Sequence, residues 1–548
     1  MACYEADPMF ARLDRNNRWV VLSDKIPWDD LVAIFYRFHP PRDTGRKGLS
    51  PRIIIGSVII KHFYDYDDRE VIAQLRENAY LQYFIGLDSF MTDSPFDSSL
   101  FVEIRHKLTP ALQQCISERL LGVIEKPLFQ TGSNEQQVEN ATAADHEPTD
   151  TPGEDQEATP SHKGDLLMDA SVAPQAIAYP TDLNLLNDSR KMSEKIIDEL
   201  IHQKKEGLKQ AVSTLALLRQ PTTIMGQGLD LATEMKRSEE RISTLKALTK
   251  PRTYRQIARK AYLKTAQNKN PGKKAIRKAN GKQLRYLKRN LAHISKMLET
   301  WEGQPYPLDD YFNKYLEVIT KLYAQQKEMF DEKKNKVDNR IVSIHQPHVR
   351  PIVRGKARAK TEFGAKIHLS LIDGFSFLDT ISWDAFNEST HLTDYVERYK
   401  ARFGYYPKRV LVDRIYWTRA NRKWLKEKGI ILCAKPLGRP SAQAVANHLR
   451  PGERNPIEGK FGQAKTAYGM GRIRAKLKQT SESWIASIVL VLNLVNFTRV
   501  VPYVLISGIC RGFSNDARQL WHTLRLMSEN FNLKPIEPQL LVSILVRV

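Results

Sequence analysis

The stretch RNPIEGKFGQAK, which begins at Arg454, places one acid, Glu458, between two basic residues near the start of a predicted helix. At 3.6 residues per turn, Lys465 returns to the side of the helix that carries Glu458. The adjacent apolar stripe contains Ile457, Phe461 and Ala464. Both charged residues therefore lie at the edge of a buried face, where a carboxylate can hold a cation and a lysine can contact an anion.

A structural role also explains this acid. Asn455 is a favoured N-cap, Pro456 suits the first helical position, and Glu458 then falls at the third. A glutamate there can reach back to the amide of the cap residue, as in a capping box. The stretch by itself leaves both roles open.

Two other acids follow apolar, strand-like runs: DLLMD ends at Asp169 and RVLVD ends at Asp413. Aspartate is depleted from strand interiors, so each predicts the end of a strand, where it could also be a turn or cap residue. With Glu458, they supply three carboxylates that a mixed sheet can bring to one edge. Such acids repel one another unless a cation neutralises them, and oxygen ligands favour Mg²⁺ or Mn²⁺. Two such ions support phosphoryl transfer.

Other metal chemistry is weakly indicated. His345 and His348 in HQPH are interrupted by Pro347, so they would not form a helical zinc-binding face. The four cysteines are far apart and form no CxxC pair, which disfavours a disulfide framework and fits a reducing cytosol. The N-terminus has no signal-peptide pattern. The apolar run from Trp484 to Phe497 has about fourteen residues, too few to span a bilayer, and predicts a buried helix.

The elements that must position the acids divide the chain into segments. Residues 1–128 predict an all-α N-terminal domain, with a possible DNA-binding helix-turn-helix around Asn78. An acidic linker (129–163), the first strands of an α/β domain (164–188), a basic helical segment (189–344), the rest of the α/β domain (345–500) and a tail (501–548) follow. Strand patterns return at Gly364, in the run GAKIHLSLIDGFSFLDTISW, with a hairpin predicted at Asp373-Gly374. The fold class is α/β, a mixed sheet flanked by helices.

Positive charge is concentrated in the helical segment 189–344. The chain has 84 Lys and Arg against 62 Asp and Glu, and sixteen of those basic residues lie between Lys250 and Lys296, where no acid occurs. A one-signed block of this size repels itself unless an anion neutralises it, and the DNA phosphate backbone is such an anion. A solvated helical face is the alternative. The candidate DNA contacts are Lys273, Lys274, Arg277 and Lys278.

Several of these pieces, taken in order, resemble a known family. They are the run from Pro51 to Leu108 and the motifs MDASVAP, RPIVRGKARAKTEFGAKIHLSLIDG, LVDRIYW and RNPIEGKFGQAK. Together they resemble insertion-sequence transposases of the IS5 and IS1182 type, within the IS4-like DDE group. The Arg-x3-Glu-x6-Lys signature of that family matches Arg454, Glu458 and Lys465. The resemblance covers most of the chain outside the acidic linker.

The resemblance implies an RNase H-like catalytic domain, formed by residues 164–188 and 345–500, into which the basic helical segment 189–344 is inserted. It also implies that Asp169, Asp413 and Glu458 are the catalytic, metal-binding residues. Arg472 joins Arg454 and Lys465 among the expected DNA contacts. Two positions differ from the family: Pro451 stands where a tyrosine is usual, and Asp-Arg-Gly-Tyr is replaced by Asp-Arg-Ile-Tyr.

The implied function is a bacterial transposase that cleaves and rejoins DNA at the terminal inverted repeats of its own element and inserts them into target DNA. The expected cofactor is Mg²⁺ or Mn²⁺, as two ions. The expected partners are double-stranded DNA and a second copy of the chain, in the cytoplasm near the nucleoid and without a membrane. An RNase H-like nuclease that lacks strand transfer and an inactive, DNA-binding transposase remnant are the alternatives.

Overall fold

The computed structural model describes residues 8–41, 48–122, 162–219, 231–301, 305–353, 361–435 and 452–497. The predicted linker, apart from residues 162 and 163, lies outside the described residues. The predicted tail and Pro451 also lie outside them.

The N-terminal described residues form helices, as predicted. Their bounds are α1 Pro8–Ala11, α2 Arg18–Lys25, α3 Trp28–Phe38, α4 Pro51–Tyr64, α5 Asp68–Glu77, α6 Ala79–Ile85, α7 Phe101–Lys107 and α8 Pro110–Leu120. Local sequence explains the boundaries. Asp67 and Glu70 form a capping box at the start of α5, and Asn78 ends α5 and caps α6 through its side chain. Pro51 occupies the first turn of α4, where its missing N–H costs nothing.

A mixed sheet lies at the centre of the predicted α/β domain. Its strands are β1 Asp165–Pro174, β2 Arg350–Val353, β3 Thr361–Ile372, β4 Phe375–Ser382, β5 Arg409–Leu411 and β6 Ile431–Cys433. The order is β2-β3-β1-β5-β6, and β4 also pairs with β3. β1 runs antiparallel to β3 and parallel to β5, and β5 runs parallel to β6. The predicted α/β class with a mixed sheet is therefore confirmed.

The connections follow the predicted turn signals. Asp373 and Gly374 both have positive φ, 49° and 84°, and join β3 to β4 as the predicted tight hairpin. Helices α14, Leu392–Phe403, and α15, Arg419–Glu427, lie before and after β5. Gly429, at φ 69°, ends the α15 region as predicted.

Between β1 and β2 lie the helices of the predicted insertion. They are α9 Asp182–Leu218, α10 Leu231–Ala247, α11 Arg255–Ala266, α12 Lys273–Glu299 and α13 Asp310–Asp331. The first begins at Asp182, seven residues before the predicted boundary at 189, because Thr181 caps it. Apolar residues of α9, α12 and α13, among them Ile196, Leu287 and Leu322, form a core that is separate from the core of the sheet.

Two helices complete the described chain: α16, Asn455–Ala467, and α17, Lys478–Phe497. By length and composition α17 could cross a membrane, but 78% of its apolar window is buried inside the fold. It is the predicted buried helix and is longer than the predicted apolar run, because buried serines such as Ser481 and Ser483 extend it N-terminally. One hydrophobic core joins α17, α16, one face of the sheet and the N-terminal helices.

Candidate active site

Asp169 lies inside β1, on the central strand, opposite Leu369 of β3. The prediction that the strand ends at Asp169 is wrong, because the antiparallel ladder with β3 continues to Pro174. The ladder with β5, however, stops at the pair Leu167–Leu411. The side of β1 that faces β5 is therefore free of ladder pairing at Asp169, and the acid lies at the carboxyl end of β5.

Asp413 follows β5 by two residues and begins a 3₁₀ turn, Arg414–Tyr416. Its side chain accepts a hydrogen bond from the amide of Arg414 at 2.7 Å. This confirms the predicted break of the strand at this acid. The carboxylate of Asp413 is 57% exposed.

Glu458 lies in the first turn of α16, but the predicted capping box does not form. The N-cap is Arg454, which has helical dihedrals and no side-chain capping bond, so Asn455 is already helical. The reason is the preceding tight turn: Gly452 has a φ of 92°, and its carbonyl accepts from the amide of Asn455 at 3.0 Å. The Glu458 side chain therefore remains available and is 60% exposed. The predicted apolar stripe of this helix is buried.

The three acids meet at one guanidinium. Arg454 Nη2 lies 3.2 Å from Asp169, and its Nη1 lies 3.5 Å from Asp413 and 4.0 Å from Glu458. The Arg454 side chain is only 14% exposed, and its Nε is buried without a hydrogen-bond partner. The acids from β1, the β5 turn and α16 are thus brought together around a cationic group.

Burial raises the pKa of Asp169 above its ordinary value. Arg454 and the amide of Ala170 lower this pKa, whereas the negative charges of Asp413 and Glu458 raise it. The Asp169 carboxyl therefore interacts electrostatically with both other acids. This coupling is the expected result of placing like charges near a partly buried site.

Within the described ranges, no group of three His, Cys, Asp or Glu side chains is spaced to hold a metal ion. The acids are instead arranged around Arg454, which supplies the positive charge they require. The donor chemistry fits a hard divalent cation, since all three groups are carboxylates and two are more than half exposed. Asp169, Asp413 and Glu458 thus have the donor chemistry of a Mg²⁺ or Mn²⁺ site, but in the arrangement around Arg454 they do not have its spacing.

Salt bridges anchor the turn that carries Arg454. Arg409 of β5 donates to Asp165 at 2.9 Å and to Glu453 at 3.1 Å. Glu453 immediately precedes Arg454, so these bonds connect the start of α16 to two strands of the sheet. Sequence reasoning did not identify this set, because its members are distant along the chain.

A buried polar cluster beside the acids was also missed. His368 on β3 contacts Asp379 of β4 and the hydroxyl of Tyr416, and the His368 ring is fully buried. Burial raises the pKa of Tyr416 well above its ordinary value. The available signal was a histidine at an inward position of KIHLSL and an acid within FLDT, since polar residues are seldom buried without partners.

The predicted DNA-contacting residues of the insertion, Lys273, Lys274, Arg277 and Lys278, are exposed on the first turns of α12. All but Lys273 line a groove of 620 Å³ between α12 and α13. Arg472 is likewise exposed, while Lys465 is partly buried.

The basic block is partly neutralised within the chain. Arg255 lies 2.7 Å from Asp198 of α9, and Lys250 lies 3.0 Å from the same acid. The expectation that an external anion must neutralise the whole block therefore needs correction. The sequence could not reveal these pairs, because Asp198 lies more than fifty residues before Lys250.

The HQPH histidines do not converge on a metal site. His345 Nδ1 is 2.8 Å from the hydroxyl of Tyr315, whereas the His348 ring packs edge-on against Trp383 at 4.3 Å. Burial and nearby positive charges lower the pKa of His348 to about 4. It is therefore neutral and structural at physiological pH.

Comparisons with known proteins agree with the geometry. Residues 410–495, which contain Asp413 and Glu458, match the family described as "Transposase DDE domain", and residues 8–107 match "Transposase domain (DUF772)". The chain is similar to "Uncharacterized protein ORF8 in nfe locus" of Rhizobium meliloti, with 29% identity over 212 residues, which cover 38% of this chain and 85% of that protein. No solved structure matches the chain. Together these matches support an insertion-sequence DDE transposase.

Proposed function

We propose that this transposase binds the ends of its own insertion sequence and catalyses metal-dependent cleavage and transfer of DNA strands. The observation that carries the proposal is the convergence of Asp169, Asp413 and Glu458 on Arg454. Three acids from three elements gather at the edge of a sheet beside two parallel strand ends. A purely structural ion pair would require only one of them.

The strand order supports an RNase H-like fold for the catalytic domain. Leaving the short strand β2 aside, the order is β4-β3-β1-β5-β6, with antiparallel pairing up to β1 and parallel pairing beyond it. Along the chain, the helical insertion lies between β1 and β2. The assignment to the IS5 and IS1182 type is part of this proposal and is supported by the sequence motifs.

Asp169, Asp413 and Glu458 are the proposed ligands of two Mg²⁺ or Mn²⁺ ions. When bound, these ions would lower the pKa of a water molecule and stabilise the leaving oxygen. Arg454 offsets part of the negative charge of the acids in the metal-free chain. Once they hold metal, its guanidinium becomes available to contact a DNA phosphate, together with Lys465.

The proposed DNA interface extends to Arg472 and to the exposed residues Lys273, Lys274, Arg277 and Lys278. These side chains present positive charge to solvent, as phosphate contacts must. DNA of the element ends and of the target is the proposed partner, and a homodimer is the proposed assembly. The proposed location is the bacterial cytoplasm, at the nucleoid.

The test is to incubate the purified full chain with labelled element ends, a target plasmid and Mg²⁺, and to map both cut and joined products. The proposal expects cuts at the element boundary and joining of the cut ends to the target. Cuts without joined products would favour a nuclease that lacks strand transfer. End binding without cuts would favour an inactive DNA-binding remnant.

A further inference from the structure

A buried chain of polar groups connects β4, β3 and the turn that carries Asp413. The Nδ1 atom of His368 lies 3.1 Å from Oδ2 of Asp379, and its Nε2 lies 3.0 Å from the hydroxyl of Tyr416. The side chains of His368 and Asp379 are both 0% exposed. His368 pairs with Ala170 on β1, the residue that follows Asp169.

Asp379 reaches His368 because β4 contains a bulge. Leu378 pairs with Leu369 and Thr380 pairs with His368, which leaves Asp379 as the extra residue between them. A bulge of this kind redirects a side chain at a cost in ladder hydrogen bonding. Such irregularities are over-represented next to active sites.

The hydrogen bonds of the chain have a defined direction. Asp379 Oδ2 also accepts from Ser370 Oγ, and Asp379 Oδ1 lies 3.6 Å from Arg402, so both oxygens of this acid face donor groups. Nδ1 of His368 therefore carries the proton, and Nε2 accepts from the hydroxyl of Tyr416. Each of the three groups is thus committed to one orientation.

Tyr416 connects this hydrogen-bonded chain to the turn that carries Asp413. It is the last residue of the 3₁₀ turn that starts at Asp413, and its amide donates to the Asp413 carbonyl at 3.1 Å. β5 has already ended at Leu411, so sheet pairing does not hold this turn. The Tyr416 side chain, which is fully buried, anchors it to β3 through His368.

We propose that Tyr416, oriented by the His368–Asp379 pair, is a positioning residue that fixes Asp413 relative to Asp169. This inference rests on the proposed function, in which both aspartates hold metal. Apolar groups of the same shape would fill this core at a lower desolvation cost. The hydrogen bonds from Asp379 through His368 to Tyr416 instead select one orientation of the turn.

The test is Mn²⁺ binding to the full chain without DNA, measured by titration calorimetry, for wild type and Tyr416→Phe. The variant keeps the ring and loses the hydroxyl that bonds His368. We expect its Mn²⁺ affinity to fall about tenfold, at the lower end of losses caused by disturbing groups behind metal ligands. The Mn²⁺ concentration needed for half-maximal cleavage should rise by the same factor, while the rate at saturating Mn²⁺ recovers to near the wild-type rate.

Tyr395→Phe is the matched control. Tyr395 stacks on His368 with ring centroids 3.8 Å apart, and its buried hydroxyl bonds Thr380 at 3.2 Å, away from the Asp413 turn. Its Mn²⁺ affinity should stay within about twofold of wild type, because the turn keeps its anchor. Equal losses in both tyrosine variants would assign the cluster to general core stability and overturn the proposal.

Unchanged Mn²⁺ binding in Tyr416→Phe would also overturn it. If that variant fails to fold, Asp379→Asn provides the same test, since it weakens the orientation of His368 without removing an atom from the Asp413 turn. Failure of the proposed function looks different, because Asp413→Asn would then bind Mn²⁺ as well as wild type does.

Discussion

At the scale of single residues, the site is an electrostatic balance between one guanidinium and three carboxylates. Arg454 contributes one positive charge against three negative ones, and the pKa of Asp169 is raised by burial. The excess negative charge is unfavourable for folding and favourable for binding a cation. The three acids therefore favour binding of a cation and lower the folding stability of the metal-free protein.

We predict that Asp169→Asn, Asp413→Asn and Glu458→Gln each lower the rate of strand cleavage by at least about a thousandfold, or about 4 kcal/mol, because each removes a proposed metal ligand. Binding to element ends should change little, since none of these side chains is a proposed DNA contact. Gel-based cleavage and binding assays on the same preparations measure both. A Glu458→Gln protein that cleaved near the wild-type rate would contradict the assignment of that acid.

Asp169→Asn should also raise the melting temperature of the metal-free protein at neutral pH. A carboxyl whose pKa is raised on folding stabilises the fold only below its ordinary pKa, and that stability is lost as pH rises through the folded value. At neutral pH the ionised group therefore costs free energy, which asparagine removes. A lower melting temperature would mean that the ion pair with Arg454 outweighs burial.

His348 predicts a pH dependence of stability. Its pKa is lowered from 6.5 to about 4, first by burial and then by the charges of Lys478, Arg350 and Lys314. Because the folded pKa is depressed, this stability is present above pH 6.5 and is lost as pH falls towards 4. The loss is at most about 3 kcal/mol, and less because the ring is partly exposed.

Urea denaturation of wild type and His348→Gln between pH 7 and pH 4 measures this loss. The glutamine variant should lose less stability over that range than wild type. His345→Gln is the control, since His345 is exposed and bonded to Tyr315. Parallel pH curves for wild type and His348→Gln would refute the assignment.

At the scale of elements, the insertion combines an apolar core with a basic outer surface. Leu287 and Ile294 of α12 are buried against α9 and α13, while the lysines at its start face solvent. The helix therefore has one face committed to packing and one available for a ligand. This arrangement matches a helix that presents charge to a phosphate backbone.

We predict that reversing Lys273, Lys274 and Lys278 to glutamate weakens DNA binding, and that the loss of affinity is largest at low salt concentration. If each contacts one phosphate, the slope of log affinity against log salt falls in magnitude by about 3. Discrimination between element ends and random duplex should change little, because phosphate contacts carry no sequence information. Fluorescence anisotropy titrations on both duplexes at several salt concentrations measure these quantities.

A matched control reverses Lys191, Lys195 and Lys205, three exposed lysines on the neighbouring helix α9. It applies the same change of net charge elsewhere on the insertion and should leave the slope nearly unaltered. Equal changes in both variants would indicate a general charge effect. An unchanged slope in the α12 variant would remove this helix from the DNA interface.

At the scale of the whole molecule, the N-terminal helices and the catalytic sheet share one core through α17. Trp484 of α17 lies under the ammonium of Lys61, 4.7 Å from the ring centroid, and against the ring of His62 at 5.0 Å. Gln113 of α8 donates to the Ser483 carbonyl at 3.1 Å. The core of the insertion, by contrast, is separate.

We predict that deletion of residues 1–122 exposes α17 and abolishes cooperative unfolding, with aggregation or binding of a hydrophobic dye. Replacing residues 189–340 by a short flexible linker should leave a cooperative transition, because the contact with α17 is retained. Calorimetry and light scattering compare the two proteins. A monomeric, cooperatively folded chain without residues 1–122 would show that the N-terminal helices are an independent unit.

Local signals in the sequence determined many of the elements. The Asp373-Gly374 hairpin, the break at Asp413, the stop at Gly429 and the buried stripe of α16 were predicted, because each depends on dihedral preference or periodicity over a few residues. The three acids were also identified from local patterns. The identity of the family was accessible because its motifs are short and ordered.

Only the tertiary structure determined which distant residues contact the three acids and the strands that carry them. The extension of β1 past Asp169 depends on pairing with β3, which lies nearly two hundred residues later. The position of Arg454 among the three acids and the link from Asp379 through His368 to Tyr416 likewise join distant segments. Distances and buried hydrogen bonds arise from packing of the whole chain, so local sequence patterns do not contain them.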